Sequence, residues 1–281
     1  MHEPPQPPVH IIGASGRSGS ALVRALAARA VPVIRNPAKW NGPGTPRLAD
    51  LTDATALAAC LADATIVVSC AHARHTEAIL AAAPPTAHLV LLGSTRRFTR
   101  WPDEHGRGVQ QGEAALLASG RPGVILHPTM IYSAEGEDNV QRLAALLRRL
   151  PLVPLPGGGR ALVQPIHQDD VTACVVAAIG IPWTAPRALV IAGPTPLAYA
   201  DFVRAVAHAA GLKRPRIASL PAGPLMLASR LTALLPFLPR IGAAEIRRLT
   251  EDKAFPIADM RTVLGVEPRS LTEGLAQTFR S

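Results

Sequence analysis

Short runs of apolar residues alternate with helical patterns along the first half of the chain. The apolar runs lie at 9–12, 31–34, 65–69, 88–92 and 123–126. The helical patterns lie between them, near 17–29, 53–62, 73–82 and 107–119. Such alternation is typical of βαβ units, whose parallel strands are buried on both faces of a sheet and therefore read as solid apolar runs. A further short strand is predicted at Arg47-Leu48-Ala49.

The pattern changes after about residue 135, where proline and glycine become frequent. Further helices are predicted at 138–149, 168–179, 198–210 and 243–251. Short strands are predicted at 161–164, 188–192 and 215–218. This mixture indicates a smaller α+β lobe that interleaves with the sheet of the first half.

A glycine-rich loop stands between the first apolar run and the first helix. Gly13 permits a tight turn, Gly16 lets the backbone approach a pyrophosphate, and Gly19 lets the helix pack close to the sheet. The free N–H groups and the positive end of the helix would face the phosphates. The residues of this loop expected to bind the cofactor are Gly13, Ser15, Gly16, Arg17, Ser18 and Gly19.

We therefore predict an α/β fold, a doubly wound parallel Rossmann sheet with a smaller C-terminal α+β lobe. Residues 1–134 form the dinucleotide-binding core and residues 135–281 form a substrate-side lobe, partly interleaved with the core.

The residue that ends the second strand indicates which dinucleotide is bound. A site for NAD usually has Asp or Glu there, which holds the ribose 2′-hydroxyl. This chain has Arg35 followed by Asn36-Pro37. A guanidinium suits a 2′-phosphate because it is permanently charged and offers a bidentate fork. NADP(H) is the predicted cofactor, with NAD as the alternative.

The charge distribution indicates the class of ligand, and the cysteine content indicates the cellular compartment. The formal net charge is +9, yet the basic residues are scattered in singles and pairs. A phosphorylated small ligand fits this distribution better than nucleic acid, which favours a focused basic stripe. The three cysteines are too few for a disulfide framework, which favours a reducing cytoplasm.

No uninterrupted apolar stretch reaches 18 residues, so no membrane span is expected. The nearest approach, 221–241, is broken by Arg230, Pro236 and Pro239. We interpret it as a helix that packs over the substrate lobe, with association at a membrane surface as the alternative. A protein partner or a homo-oligomer is left open.

Seven segments of the chain belong together in their order and spacing, namely GASGRSG at 13–19, VIRNP at 33–37, DLTD at 50–53, LLGSTRR at 91–97, HPTMIYS at 127–133, QPIHQDDV at 164–171 and DKAFPIADMRTVLG at 252–265. Together they resemble the short-chain dehydrogenase/reductase superfamily, above all its extended or atypical branch with the NmrA-like proteins and the 39-kDa subunit of respiratory complex I. The resemblance covers nearly the whole chain.

This resemblance implies roles for particular positions. Asp50 and Leu51 would lie against the adenine, and Cys70 and Ala71 beside the ribose and phosphates. Asp170 would cap the helix that follows the QPIH segment. The two residues implied to flank the nicotinamide are Pro128 and Met130, and the active-site serine is Ser94.

One departure from the superfamily concerns its acid–base machinery. Its reductases use Tyr-x-x-x-Lys, in which the tyrosine supplies a proton and the lysine lowers the tyrosine pKa. The only tyrosines are Tyr132 and Tyr199, and neither is followed four residues later by lysine. Aligning the relevant helix puts His105 at the tyrosine position and Val109 at the lysine position. The usual pair is absent, and His105 is the candidate replacement acid.

The residues give less support to a metal site, a serine hydrolase or a second phosphate-binding loop. Cys70, His72 and His75 do not have the spacing of a zinc site, so no metal is predicted. No Gly-x-Ser-x-Gly motif is present, and Gly157-Gly158-Gly159 reads as a turn.

Two functions remain open at this point. One is an NADP(H)-dependent oxidoreductase or epimerase-like enzyme acting on a small carbonyl or sugar-like substrate. The other is a non-catalytic nucleotide-binding protein that senses redox state or serves in an assembly.

Overall fold

A computed structural model describes residues 6–135, 139–150, 152–232 and 242–280, and the side chains of 228–232 are not described. The predicted segment 221–241 therefore lies partly outside the described residues.

The strands are β1 Val9–Ile12, β2 Ala30–Ile34, β3 Arg47–Leu48, β4 Ile66–Ser69, β5 His88–Leu92, β6 Gly123–Pro128, β7 Ile131–Tyr132, β8 Leu152–Pro156, β9 Leu162–Val163, β10 Ile166–His167, β11 Pro186–Ile191, β12 Leu197–Ala198 and β13 Arg216–Leu220. The helices are α1 Arg17–Leu26, α2 Ala54–Leu61, α3 Thr76–Ala82, α4 Glu104–Ser119, α5 Asn139–Arg149, α6 Gln168–Gly180, α7 Tyr199–Ala209, α8 Ala222–Thr232, α9 Ala243–Arg248, α10 Ala258–Leu264 and α11 Leu271–Arg280.

Seven strands form one parallel sheet in the order β11-β6-β5-β4-β1-β2-β3. The chain runs outward from β1 through β2 and β3, then returns to β4 on the other side of β1. Loops leave β1 and β4 in opposite directions, which opens a crevice at their carboxyl ends. Ligands of doubly wound sheets bind in this crevice.

Helices cover both faces of the sheet, which confirms the predicted doubly wound α/β fold. Alternate residues of the strands point to opposite faces, so Ile11 and Ile12 belong to different core clusters. One face packs against α1, α6 and α10, and the other against α2, α3 and α4. The apolar runs seen in the sequence are buried for this reason.

Residues beyond 135 contribute to both parts of the molecule. Strand β11 extends the main sheet beside β6, and α6 packs against α1. The remainder builds two-stranded sheets, β10-β7, β12-β9 and β13-β8. These sheets and helices α5, α7 and α11 enclose two small apolar clusters, around Tyr132 and Leu155.

Four helix ends lie three residues from their predicted positions. Helix α3 begins at Thr76, after a 3₁₀ turn at Ala73–His75, and α9 ends at Arg248. The other two differences have a local cause. Helix α1 ends at Leu26 instead of continuing to 29, because Ala27 takes a φ of +48°. Helix α4 begins at Glu104, three residues before the predicted start, because the Asp103 carboxylate accepts a hydrogen bond from the Gly106 N–H (2.8 Å). No helix in the described ranges has the length and apolar content needed to cross a bilayer.

Candidate functional site

The glycine loop joins β1 to α1 at the crevice of the sheet. Gly13 has a φ of +77°, a conformation that side chains other than glycine rarely adopt. Gly16 starts α1, and no side chain caps that helix end. The N–H groups of the first turn therefore remain available to an anion, as in dinucleotide sites.

A cleft of about 460 Å³ lies over this loop. The predicted contacts that line it are Gly13, Ser15, Gly16, Arg35, Asp50, Leu51, Cys70 and Ala71. The cleft is also lined by polar residues that the sequence analysis did not single out as ligands, namely Asn36, Lys39, Thr52, His72 and His75.

Arg17 and Ser18 are placed differently from the rest of the loop. Arg17 is exposed at the first position of α1, and Ser18 donates its hydroxyl to Gln168 Oε1 of α6 (2.9 Å). Neither residue lines the cleft, and Gly19, which is buried against the sheet, does not line it either. The bond of Ser18 holds α1 against α6.

Two cations stand at the end of β2. The side chain of Arg35 is 77% exposed, and its Nε lies 4.0 Å from Asp50 Oδ2. Lys39 follows in a short 3₁₀ turn, whose start is capped by the Asn36 side chain. The Thr52 N–H and hydroxyl both donate to Asp50, which holds the pKa of this carboxyl below its usual range. This end of the cleft carries two cations and a single carboxylate that is already hydrogen-bonded.

Ser94 follows β5 and lies in extended backbone. Its N–H donates to His127 Nδ1 (3.1 Å), and its hydroxyl oxygen accepts from the Arg96 N–H (3.2 Å). Thr95 donates its hydroxyl to the carbonyl of Pro128, which ends β6 (3.2 Å). The carboxyl ends of β5 and β6 are therefore tied together beside the crevice.

A buried charge cluster lies behind Ser94 and was not anticipated from the sequence. His127 Nε2 and Arg97 Nε lie 2.8 Å and 2.5 Å from Glu113 Oε2. Since Nδ1 of His127 accepts the Ser94 N–H, the ring proton is assigned to Nε2, which faces the carboxylate. Glu113 lies on α4, so this cluster connects α4 to the end of β5.

The residues at the positions of the missing tyrosine and lysine differ in environment. Val109 is 1% exposed and belongs to the apolar core. His105 packs edge-on against His72, with ring centroids 4.2 Å apart. Burial lowers the pKa of both histidines, that of His72 to about 4. The structure thus places His105 beside a residue that lines the cleft, and gives Val109 no polar role.

Of the two tyrosines, Tyr132 is buried and Tyr199 is half-buried. Tyr132 is 1% exposed within the apolar cluster of the smaller lobe, and burial raises its pKa. Tyr199 lines a second cavity, and burial raises its pKa to about 12. Both hydroxyls therefore remain protonated near neutral pH.

The second cavity, of about 340 Å³, lies between the carboxyl ends of β5 and β6 and the smaller lobe. Met130, predicted to flank the nicotinamide, lines it together with Thr95 and Thr129. Its charged residues are Arg142, Glu245, Arg248, Glu251 and Lys253. The volume suits a small organic substrate. Ser94 and His105 do not line it, although Ser94 directly precedes Thr95.

Asp170 has a different role from the one implied by the resemblance. The helix start at α6 is capped by the side chain of His167, which accepts from the Asp169 N–H. Asp170 instead accepts hydrogen bonds from the Nε and N–H of Arg269, at 3.0 Å and 3.2 Å. Among the described residues, no group of three or more His, Cys, Asp and Glu side chains is arranged to hold a metal ion.

Comparison with known proteins relates the whole fold to solved structures. No family model matches the chain, and no curated protein does. A short-chain dehydrogenase/reductase superfamily protein from Agrobacterium tumefaciens, with bound NAD, superposes with a TM-score of 0.69 at 15% identity, covering 96% of this chain and 95% of that one. The NADPH-dependent quinone oxidoreductase QOR2 of Escherichia coli, complexed with NADPH, gives 0.74 at 18% identity, covering 96% and 99%.

The triphenylmethane reductase of Citrobacter sp. gives a TM-score of 0.75 at 14% identity, covering 98% of this chain and 100% of that one. The resemblance seen in the sequence is therefore confirmed at the level of the fold: this chain has the fold of the short-chain dehydrogenase/reductase superfamily, over nearly its full length.

Proposed function

We propose that this protein binds NADP(H) and acts as an NADP(H)-dependent oxidoreductase on a small carbonyl or sugar-like substrate. The observation that carries the proposal is the cleft over the glycine loop. One side offers the uncapped start of α1, and the other offers Arg35 and Lys39 at the end of β2. Backbone N–H groups suit the pyrophosphate, and the two cations suit a 2′-phosphate.

The residues that fit the dinucleotide divide by the part they would hold. Gly13, Ser15 and Gly16 would bind the pyrophosphate, Arg35 and Lys39 the 2′-phosphate, and Asp50 and Leu51 the adenosine. Cys70 and Ala71 would lie along the ribose, with Pro128 and Met130 near the nicotinamide. In this scheme residues 1–134 hold the cofactor and residues 135–281 cover the substrate.

The cofactor would supply a hydride at its nicotinamide ring. The second cavity would hold the hydride acceptor, since Met130 and Thr129 line it at the carboxyl end of β6. Ser94, the predicted active-site serine, does not line this cavity; it would act beside it, because the bond of its N–H to His127 fixes the backbone that leads into Thr95, which does line it. QOR2, which has the same fold, is an NADPH-dependent quinone oxidoreductase, and this supports the assignment.

One observation favours a non-catalytic nucleotide-binding role. Val109 is buried in the apolar core at the position where the superfamily places its lysine. A protein with valine at this position could bind the cofactor in the cleft but would lack the lysine on which the usual proton transfer depends. A cytoplasmic location and assembly with itself or a protein partner stay predictions.

Cofactor preference tests the first part of the proposal. Titration calorimetry of the wild type should show NADPH binding at least about tenfold tighter than NADH, a difference of about 1.4 kcal/mol. Arg35→Asp should abolish this preference, because a carboxylate repels a 2′-phosphate and accepts the 2′-hydroxyl of NADH.

The matched control is Arg29→Asp. Arg29 is a half-buried arginine directly before the other end of β2, where it donates to the Pro7 carbonyl. This variant should keep the wild-type preference. Equal affinities of the wild type for NADPH and NADH would remove the basis for assigning Arg35 to the 2′-phosphate.

Turnover distinguishes the oxidoreductase from the non-catalytic role. The measurement is steady oxidation of NADPH in the presence of aldehydes, ketones and quinones. Sustained oxidation with one of these classes excludes a protein that only binds the cofactor. Tight NADPH binding without oxidation across the panel favours the redox sensor or assembly subunit.

A further inference from the structure

Lys253 is one of only three lysines in the chain, with Lys39 and Lys213. It lines the second cavity, far in sequence from the helix on which the superfamily carries its lysine. In the sequence, Lys253 is part of the C-terminal segment 252–265 and has no assigned role. Its contacts in the folded chain indicate what its side chain could do.

The backbone around Lys253 is firmly attached to β9. The Lys253 N–H donates to the carbonyl of Leu162 (2.8 Å), and the Leu162 N–H donates to the carboxylate of Asp252 (2.8 Å). Two residues further on, the Phe255 N–H donates to Gln164 Oε1 (2.8 Å). The position of the Lys253 main chain is therefore fixed on both sides.

The same segment lies across the turn that follows Ser94. Glu251 accepts hydrogen bonds from the Thr99 hydroxyl (2.7 Å) and the Arg100 N–H (2.8 Å). The ring of Phe255 lies 5.4 Å from that of Phe98, measured between centroids. Lys253 stands between these two contacts, so its segment is held against the carboxyl end of β5.

The side chain of Lys253 leaves this anchored backbone for the cavity that Met130, Thr95 and Thr129 also line. Burial lowers the pKa of the Lys253 ammonium, and the nearby Glu251 carboxylate only partly offsets the effect, since the guanidiniums of Arg248 and Arg96 lower this pKa further. The Glu251 oxygens already accept hydrogen bonds from Thr99 and Arg100. An ammonium in this position is suited to donate a proton to an oxygen inside the cavity.

We propose that Lys253 is the proton donor of the second cavity and protonates the carbonyl oxygen of the substrate as hydride reaches the carbonyl carbon. The inference rests on the proposed oxidoreductase function. One carbonyl, one hydride from NADPH and one proton from Lys253 give an alcohol, NADP⁺ and a neutral lysine amine. Solvent then returns the proton to the amine. The C-terminal lobe would thus supply the acid that α4 lacks.

Three variants test this assignment in the NADPH-loaded full-length protein. Lys253→Met keeps much of the side-chain length but has no proton to give. Lys253→Arg keeps the charge but does not release a proton near neutral pH. Both should bind NADPH like the wild type and lose about 10²–10⁴-fold in turnover, as expected for loss of a general acid. Lys213→Met, at an exposed lysine, should match the wild type.

A second readout does not depend on turnover. Acetic anhydride reacts only with the neutral amine, so its rate of reaction with each lysine against pH reports that lysine's pKa. Peptide mass spectrometry separates the three lysines. Lys253 should titrate below the ordinary lysine pKa of 10.5, and kcat/KM of the wild type should fall as pH rises through the Lys253 value.

The outcomes separate this inference from the function on which it rests. Turnover of Lys253→Met equal to that of the wild type overturns the Lys253 assignment and leaves the oxidoreductase standing. Titration of Lys253 at or above the ordinary lysine pKa of 10.5 has the same consequence. A wild type that binds NADPH but oxidises none with any carbonyl or quinone overturns both. Unchanged NADPH affinity in Lys253→Arg shows that lost turnover is not lost folding.

Discussion

Gly19 shows how a single residue decides whether the glycine loop can form. A Cβ on Gly19 would lie 2.9 Å from the Cα of Ala14, a main-chain atom that has little room to move. Helix α1 can therefore lie this close to the β1 loop only because position 19 has no side chain. Gly13 meets a second requirement through its positive φ.

Gly19→Ala should lower the free energy of unfolding by about 1–3 kcal/mol, the cost of overpacking a close contact. NADPH affinity should fall with it, because the start of α1 must shift. The control is Gly180→Ala at the end of α6, where a Cβ would meet open space. Urea unfolding should show no loss of stability there. An equal loss in both variants would contradict the packing argument.

At the scale of elements, α6 is attached to the C-terminal segment by a buried ion pair. Asp170 lies inside the first turn of α6, and Arg269 precedes α11. The side chain of Asp170 is 8% exposed, whereas that of Arg269 is 23% exposed. The pair therefore loses little of its strength to solvent screening and holds α11 beside the core.

Asp170→Asn should reduce the free energy of unfolding by about 2 kcal/mol, because the guanidinium of Arg269 loses its buried carboxylate partner and keeps only the exposed Asp169. Asp201→Asn is the matched control, since Asp201 pairs with Arg204 in an exposed i,i+3 contact. It should cost only about 0.3–0.5 kcal/mol. Thermal unfolding that ranks the two variants in the opposite order would show that the pair does not stabilise α6.

For the whole molecule, buried histidines determine how stability depends on pH. Burial is the largest cause of a lowered pKa for His10, His72, His75, His105 and His167. The unfolded chain binds protons at these positions first as pH falls below their ordinary value of 6.5. Their contribution is complete above that value and is lost as pH falls toward the folded pKa.

The free energy of unfolding, measured in urea, should be lower at about pH 5.5 than at about pH 7.5. Asp63, which pairs with Arg47, stays ionised over this window because that contact holds its pKa far below its usual range. His10→Gln should reduce the difference, since His10 is only 1% exposed. Equal stability at the two pH values would mean that the pKa values of these histidines do not differ between the folded and the unfolded chain.

The main sheet could be predicted because each of its long strands is a run of apolar residues that lies between helical patterns. Apolar runs such as 88–92 and 123–126 correspond to β5 and β6, and the glycine loop and Arg35 both line the cleft. The start of α4 was missed because Gly106 and Gly108 weaken the helical pattern there. The fold needs glycine in this helix, since a Cβ on Gly112 would lie 2.6 Å from the Ala73 carbonyl carbon.

The sequence could not show which distant segments meet. Lys253 reaches the cavity only because its segment packs on β9 and on the turn after Ser94. Periodicity and turn chemistry are local, so residues close in the chain suffice to specify strands, helices and the glycine loop. Burial of charge depends on contacts between remote segments. The cluster of His127, Glu113 and Arg97 and the environment of Lys253 are therefore properties of the tertiary structure.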